Sequence, residues 1–319
     1  MDNSNFVTIN EEGPREGFQI ESASIPTSDK IALIDALSLT GLREIQTVSF
    51  VSPKRVPSMA DAEDVVAGLT PREGVAFTGL YLNEQGLRRA IATGRLHIEG
   101  GISLCASPAF LQRNQNATPE QQRSSRRQMI SAFQEAGIDI TYGSVSAAFG
   151  CNFQGDIPLD HLLSTVADIF AIAEEFGLHL KSLGFSDTMA WATPLQIKRT
   201  IGAVRECYPD IEISLHLHDT RGMAIANAYA GLEMGVRTFD ASVGGLGGCP
   251  FAAHKGAAGN LCTEDFVLLC EEMGFETGID LERLIETARM AERIVGHPLP
   301  GAVMRGGSLA SLRKAKLAA

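Results

Sequence analysis

Short apolar runs alternate with longer amphipathic stretches along nearly the whole chain. The runs have the length and composition of buried parallel strands, and the stretches between them have the periodicity of helices. This alternation is typical of βα units around a parallel sheet. The eight runs are Phe6–Asn10, Glu44–Phe50, Gly74–Leu82, His97–Leu104, Ile138–Ala148, His179–Ser186, Ile213–His218 and Thr238–Val243. Eight strands predict a closed (β/α)8 TIM barrel, which is an α/β fold.

Helix start and stop signals lie between these runs. Glycine just past a helix adopts the left-handed conformation that ends many helices. Asp29 is a predicted N-cap, and Thr118 with Gln121 forms a predicted capping box. Three helices followed by glycine are predicted at Lys30–Thr40 before Gly41, Thr118–Ala136 before Gly137 and Leu159–Glu175 before Gly177.

The alternation runs without a linker or low-complexity tract to about residue 265. We therefore expect residues 1–319 to form one catalytic domain, with the barrel at about 5–265 and C-terminal covering helices at about 266–319. A doubly wound open sheet is the rival architecture. It normally has a glycine-rich phosphate loop after the first strand, whereas a charged motif follows that strand here.

Composition and charge narrow the classes of function. The net charge of −11 provides no basic stripe for nucleic acid. We find neither a signal-peptide pattern nor an apolar stretch long enough to cross a bilayer, so we expect no membrane association and a cytoplasmic location. Six cysteines are spread along the chain without CxxC pairs, which indicates reduced thiols that are mostly buried.

Two polar motifs follow predicted strands at the end where TIM barrels carry their active sites. After the first strand, Arg15 and Glu16 sit side by side within GPREGFQ. They could be a plain ion pair, because neighbouring strand residues point in opposite directions and only a bend brings both to one site. At the seventh strand, His216 and His218 share one face of the strand, a spacing that suits one metal ion.

Two further features come near the eighth strand. The loop GGLGGCPFA presents Cys249 among glycines that let it move or approach a ligand, although a glycine-rich loop alone is weak evidence. Asn260 follows in a short polar break, where it is either a turn residue or an oxygen ligand. One carboxylate, two imidazoles and one amide oxygen form a mixed set that suits Mg²⁺ or Mn²⁺. Such an ion acts as a Lewis acid on a substrate hydroxyl and carbonyl.

Together these motifs resemble the 3-hydroxy-3-methylglutaryl-CoA lyases, which belong to the DRE-TIM metallolyases. The resemblance rests on GPREGFQ, SFVSPKRVPSMAD, FGC, SDT, HLHDTRGMAIANAYAGLEMG and SVGGLGGCPFA followed by GN, from about residue 7 to about residue 290. It implies His216, His218 and Asn260 as metal ligands. Glu16 stands where the family has Asp, and it remains a plausible fourth ligand although its side chain is one methylene longer.

The resemblance also implies three catalytic residues. Arg15 would neutralise the enolate oxygen of the thioester, and Cys249 would donate a proton. Asp187 is similar to the family's acid on the sixth strand.

Several pocket positions depart from the family. Gln46 replaces a catalytic Glu on the second strand, Tyr142 replaces an Arg on the fifth, and Ile20 and Ser22 replace an Asn and a Lys. The proton acceptor for the substrate hydroxyl is then Glu16, Asp187 or water.

These changes predict that the substrate is a related 3-hydroxy diacid CoA ester, of the citramalyl-CoA or methylmalyl-CoA type. Gln19, Gln46 and Tyr142 are the expected substrate-binding residues. Lys54 with Arg55, or Arg305, would meet the coenzyme A pyrophosphate, although each could equally be a solvated surface charge.

Two other functions remain open. One is a condensing enzyme resembling the isopropylmalate and homocitrate synthases, although those carry further C-terminal domains. The other is a non-catalytic acyl-CoA-binding homologue. The expected partners are a CoA thioester and further copies of the chain in a homo-oligomer.

Overall fold

The computed structural model describes residues 5–247 and 259–317. Its main sheet has eight parallel strands in the order β3-β2-β1-β8-β7-β6-β5-β4. The strands are Thr8–Glu11 (β1), Glu44–Ser49 (β2), Ala76–Leu80 (β3), Gly100–Cys105 (β4), Ile140–Ser146 (β5), Ser182–Ser186 (β6), Glu212–His216 (β7) and Thr238–Ala241 (β8). Each predicted run overlaps one strand, and the predicted (β/α)8 barrel is confirmed. A small hairpin, Gly150–Cys151 with Gly155–Asp156, follows β5.

Helices connect these strands and continue beyond the last one. Of the helices that the structure describes, none combines the length and hydropathy that crossing a bilayer requires. The helices are Thr27–Leu37 (α1), Ala62–Gly68 (α2), Glu84–Ala92 (α3), Pro108–Gln115 (α4), Pro119–Glu135 (α5), Leu159–Glu175 (α6), Pro194–Cys207 (α7), Ala224–Glu233 (α8), Thr263–Glu272 (α9), Leu281–Val295 (α10), Val303–Gly306 (α11) and Leu309–Leu317 (α12).

The structure confirms one of the two predicted helix-capping signals. Thr118 and Gln121 form the predicted capping box at the start of α5. Asp29 is not an N-cap, because α1 begins at Thr27 after Pro26. Proline fits a helix entry because its φ is fixed and it has no N–H to satisfy. The boundary expected near residue 265 falls inside α9, and α10 packs against α1 and α9.

Polar side chains line the inside of the barrel. The Asn10 amide donates to Asp240 at 3.1 Å, and the hydroxyls of Ser103 and Ser144 lie 2.6 Å apart. Alternate strand residues point outward and are buried beneath the helices, as period-two alternation requires. Among them are Ile45, Phe185 and Phe239. The interior is therefore a polar chamber enclosed in an apolar shell.

The barrel has one gap, between β3 and β4, which we call the seam. Within the part of the chain that the structure describes, these two strands share no ladder. The His97 N–H donates to the Phe77 carbonyl at 2.7 Å, and the Tyr81 hydroxyl contacts the Glu99 carbonyl. These contacts join the strands only locally.

Candidate metal centre and active site

A single wide helical turn, Gly13–Gly17, follows β1 and provides the bend that the neighbouring Arg15 and Glu16 need. It begins at a glycine because a Cβ on Gly13 would lie only 2.5 Å from the Glu11 carboxylate. The Gly13 N–H instead donates to that carboxylate at 2.8 Å. Arg15 and Glu16 consequently share one site, with Arg15 Nη1 2.7 Å from Glu16 Oε2.

The histidine pair lies at the end of β7, with ring centroids 5.0 Å apart. Glu16 reaches both rings, with Oε1 2.9 Å from His218 Nε2 and Oε2 3.6 Å from His216 Nε2. The far nitrogen of each ring is also engaged. His218 Nδ1 donates to the Asp187 carbonyl at 3.0 Å, and His216 Nδ1 lies 3.1 Å from Asp240 Oδ2. Outer partners of this kind orient metal-binding imidazoles.

The charges of this group favour a cation at its centre. Burial disfavours charge on His216, but Glu16 and Asp240 outweigh it and hold the pKa of His216 well above its usual value. Burial likewise disfavours ionised Glu16, yet Arg15 and His216 hold its pKa well below the usual value. Glu16, His216 and His218 can all direct one ligand atom toward a common point.

Asn260 adds an oxygen to this group. It is 2% exposed and pairs with His218 in an antiparallel bridge. Its side-chain nitrogen donates to Ser242 Oγ at 2.8 Å, whereas its side-chain oxygen is buried without a partner among the described residues. A buried acceptor left unpaired is costly, and a hard cation would satisfy it. The residues present therefore fit a divalent ion.

Asp187 links β6 to the histidines. Its Oδ1 accepts the N–H groups of Trp191 and Ala192 at 2.7 and 3.0 Å. Its Oδ2 is buried without a partner in residues 5–247 and 259–317. Burial raises the pKa of Asp187 to about 6. Oδ1 therefore holds the loop after β6 in place, and Oδ2 is available to accept a proton or contact a substrate.

Two carboxylates were missed in the sequence. Glu12 is buried and contacts the Arg15 guanidinium, which also contacts the Gln46 side-chain oxygen. Burial raises the pKa of Glu12 to about 7 although Arg15 opposes the shift. Asp240 faces His216 from the neighbouring strand. Glu12 directly follows β1, and no pattern in the sequence shows that the helical turn brings it against Arg15.

The predicted substrate-binding residues lie in three different places. Tyr142 lies inside the barrel against β6, where a Cβ on Gly184 would meet its hydroxyl at 2.0 Å. Gln19 has a buried side-chain oxygen without a partner in the described chain. Lys54 lies exposed in the loop after β2. Cys249, the predicted proton donor, lies outside the described residues.

A (β/α)8 barrel whose strand ends carry two imidazoles, a carboxylate and an amide oxygen defines a class, the metal-dependent TIM-barrel enzymes. The family model named HMGL-like matches residues 7–291. The chain therefore belongs to the HMGL-like family, whose members are divalent-metal enzymes. The predicted family is confirmed.

Individual relatives agree with this membership. The hydroxymethylglutaryl-CoA lyase YngG of Bacillus subtilis is 39% identical over 299 residues, covering 92% of this chain and 95% of the relative. The mitochondrial hydroxymethylglutaryl-CoA lyase of Gallus gallus is 39% identical over 281 residues, covering 88% and 91%. A solved HMG-CoA lyase from Acinetobacter baumannii, in complex with coenzyme A and 3-methylmalate, has a TM-score of 0.86 at 35% identity over 97% of both chains. All three bear the name of a carbon–carbon lyase, and the predicted enzyme class is confirmed.

Proposed function

We propose that this protein cleaves a 3-hydroxyacyl-CoA thioester into an acyl-CoA and an oxo acid. The observation that carries the proposal is the convergence of Glu16, His216, His218 and Asn260 beside Arg15. In the reaction the hydroxyl loses its proton, the carbon–carbon bond breaks, and the resulting thioester enolate takes up a proton at carbon.

Arg15 is the proposed electrostatic stabiliser of the enolate oxygen. Contacts to Glu12, Glu16 and Gln46 fix its guanidinium before substrate arrives. Donors that are oriented in advance stabilise developing charge without reorganising during the reaction. Cys249 is the proposed proton donor to the enolate carbon, supported by its place in SVGGLGGCPFA after β8.

Glu16, His216, His218 and Asn260 would hold the metal ion, which we propose to be Mg²⁺ or Mn²⁺ because the set has no thiolate. When bound, the ion supplies Lewis acidity to a hydroxyl and a carbonyl oxygen of the substrate. Asp187 and Asp240 keep the two imidazoles in position from behind.

Gln46 cannot accept the hydroxyl proton, so a carboxylate of the site or a water molecule must do so. Glu16 and Asp187 were the expected acceptors. Glu12 is a further candidate, because it is buried beside Arg15 and is not one of the proposed ligands. A base works best when its pKa is near the working pH, and the pKa of Glu12 is raised to about 7.

The proposed substrate is a 3-hydroxy diacid CoA ester related to 3-hydroxy-3-methylglutaryl-CoA. Gln46 and Tyr142 support this specificity, because they replace a Glu and an Arg of the family inside the barrel. The relative from A. baumannii was solved with coenzyme A and the diacid 3-methylmalate. Gln19 is a further proposed contact to the substrate, and Lys54 is a proposed contact to the coenzyme A phosphates.

The test is release of acetyl-CoA or propionyl-CoA from citramalyl-CoA, methylmalyl-CoA and 3-hydroxy-3-methylglutaryl-CoA, with Mg²⁺, Mn²⁺ or EDTA. We expect cleavage of one of the first two thioesters that EDTA abolishes. Preference for 3-hydroxy-3-methylglutaryl-CoA would contradict the proposed specificity. If the protein bound these thioesters but cleaved none of them, the lyase assignment would be wrong and a non-catalytic acyl-CoA-binding protein would be favoured.

The proposed function also includes a domain organisation, an oligomeric state and a cellular location. We propose a single catalytic domain over 1–319 in a cytoplasmic homo-oligomer. The packing of α10 against α1 supports one domain. The free state of Cys105, Cys151, Cys207, Cys262 and Cys270 supports a reducing compartment. Light scattering of the purified protein would give the oligomeric state.

A further inference from the structure

Helix α5 carries Arg126 on the side that faces the seam. Its neighbour Arg123 pairs with Glu120 and Asp168, and Arg127 pairs with Glu175. Arg126 is instead only 8% exposed, and its Nε has no hydrogen-bond partner among the described residues. Burial lowers its pKa, and no carboxylate in residues 5–247 or 259–317 opposes that shift. A buried cation without a counter-ion is costly to the fold.

Arg126 lines a cavity of about 180 Å³ at the seam. Gln46 and Tyr142 also line it, so the cavity extends from the barrel interior to α5. Paired strands lie under 5 Å apart and leave no such passage, but β3 and β4 share no ladder in the described part of the chain. Gly79, Gly100 and Gly101 form part of its wall.

The other titratable groups of the cavity do not neutralise Arg126. Glu44 also lines it, but burial raises the pKa of Glu44 to about 8, so it is mostly uncharged at neutral pH. His97 and Glu99 lie exposed, the Tyr81 hydroxyl is already bonded to the Glu99 backbone, and the Tyr142 hydroxyl is neutral. The cavity therefore has a buried cation on one wall, whose Nε is free within the described part of the chain to donate, and neutral hydroxyls elsewhere. A carboxylate can bind such a cation through a charge-assisted hydrogen bond.

We propose that the seam cavity binds a small organic carboxylate with Arg126 as its counter-ion, and that this group is the distal carboxylate of the substrate's acyl chain. The second part rests on the proposed function, while the first does not. Gln46 connects the two places, because it contacts Arg15 and lines the cavity. A diacid would then have its thioester end at the metal centre and its free carboxylate at the seam.

The first experiment titrates succinate into the whole protein by calorimetry, at an ionic strength held constant with sodium chloride. We expect Arg126→Met to weaken succinate at least tenfold, and Arg126→Lys to restore part of the affinity. Arg127→Met is the matched control, because it removes a half-exposed arginine, paired with Glu175, one position along the same helix. Methionine removes an unpaired buried charge, so the variant should fold. Equal affinity in Arg126→Met and the unaltered protein, or no binding to the unaltered protein, would overturn the site.

The second experiment compares a cleavable 3-hydroxy diacid thioester with the same thioester bearing a methyl ester at its distal end. Arg126→Met should raise KM for the diacid at least tenfold with little change in kcat, and leave KM for the ester unchanged. An unchanged KM for the diacid would refute the substrate assignment. If the protein binds succinate through Arg126 but cleaves no thioester, the proposed function fails and the carboxylate site stands.

Discussion

Asn260 and Asn227 each bury a side-chain oxygen that has no partner among the described residues. Their surroundings differ. Asn260 bridges to His218, whereas the Asn227 amide donates to the Ala192 carbonyl at 3.0 Å. The Asn260 oxygen faces the proposed metal site and the Asn227 oxygen does not, so matched substitutions of the two residues should have different effects.

We predict that Asn260→Ala weakens Mn²⁺ binding at least roughly tenfold, because it removes one oxygen ligand. Asn227→Ala should leave Mn²⁺ affinity unchanged and cost stability instead, because it removes a buried hydrogen bond worth about 1 kcal/mol. Titration calorimetry with Mn²⁺ and urea unfolding measure the two effects. Equal Mn²⁺ affinity in the two variants would contradict the assignment of Asn260.

At the scale of elements, a close backbone crossing holds Asn260 in place. A Cβ on Gly259 would lie 2.3 Å from the Gly247 carbonyl oxygen and 2.5 Å from that of Gly245. Backbone atoms cannot rotate away as a side chain can. Only glycine therefore lets the segment before α9 lie this close to the loop after β8.

Gly259→Ala should cost about 1–3 kcal/mol, as overpacking typically does, and should weaken Mn²⁺ binding by displacing Asn260. Gly202→Ala is the matched control. Gly202 lies within α7, and a Cβ there would meet no described atom within 4 Å. Alanine should stabilise that helix by about 0.5–1 kcal/mol. Urea unfolding of both variants measures the two changes in the free energy of unfolding, which should have opposite signs. An unchanged stability of Gly259→Ala would show that the two backbone segments do not lie this close together.

Sequence and structure agree best at this scale. Apolar runs, glycine stops and the Thr118 capping box are local signals, and they located the eight strands and the three helices predicted with bounds. The turn at Gly13–Gly17 depends on a distant Val243, whose side chain lies 3.1 Å from where a Gly13 Cβ would be. Glu12 was missed for that reason. The sequence does not single out Arg126, because burial of one helix position against a gap in the barrel cannot be predicted from periodicity.

At the scale of the whole molecule, the fold buries several carboxyl groups. Glu11 is an example outside the metal group. It accepts from the Val243 N–H at 2.9 Å and the Thr263 hydroxyl at 2.7 Å. Burial outweighs these bonds and raises its pKa to about 8, from 4.5. Glu44 and Glu264 shift in the same direction, to about 8 and about 7.

Between pH 4.5 and 8 the folded protein holds the Glu11 proton and the unfolded chain does not. Stability must therefore fall as pH rises through this window, by up to about 1.4 kcal/mol per pH unit for this group. We predict that Glu11→Gln, which keeps the acceptor for Val243, lowers this slope. Urea midpoints from pH 5 to 8 measure it. An identical slope in the variant would mean that Glu11 is ionised in the fold.

The strand order places the groups proposed for catalysis and the cavity proposed for substrate recognition in different parts of the sheet. The groups proposed for chemistry come from β1, β6, β7 and β8, which lie in the middle of the sheet and are tied by continuous ladders. The seam lies between the two strands at the ends of that order. The atoms nearest to a Cβ on Gly79, Gly100 or Gly101 belong to no proposed metal ligand. On the proposed assignments, a substitution at the seam would change the acyl chain that this protein accepts and leave the chemistry at the centre of the sheet as it is.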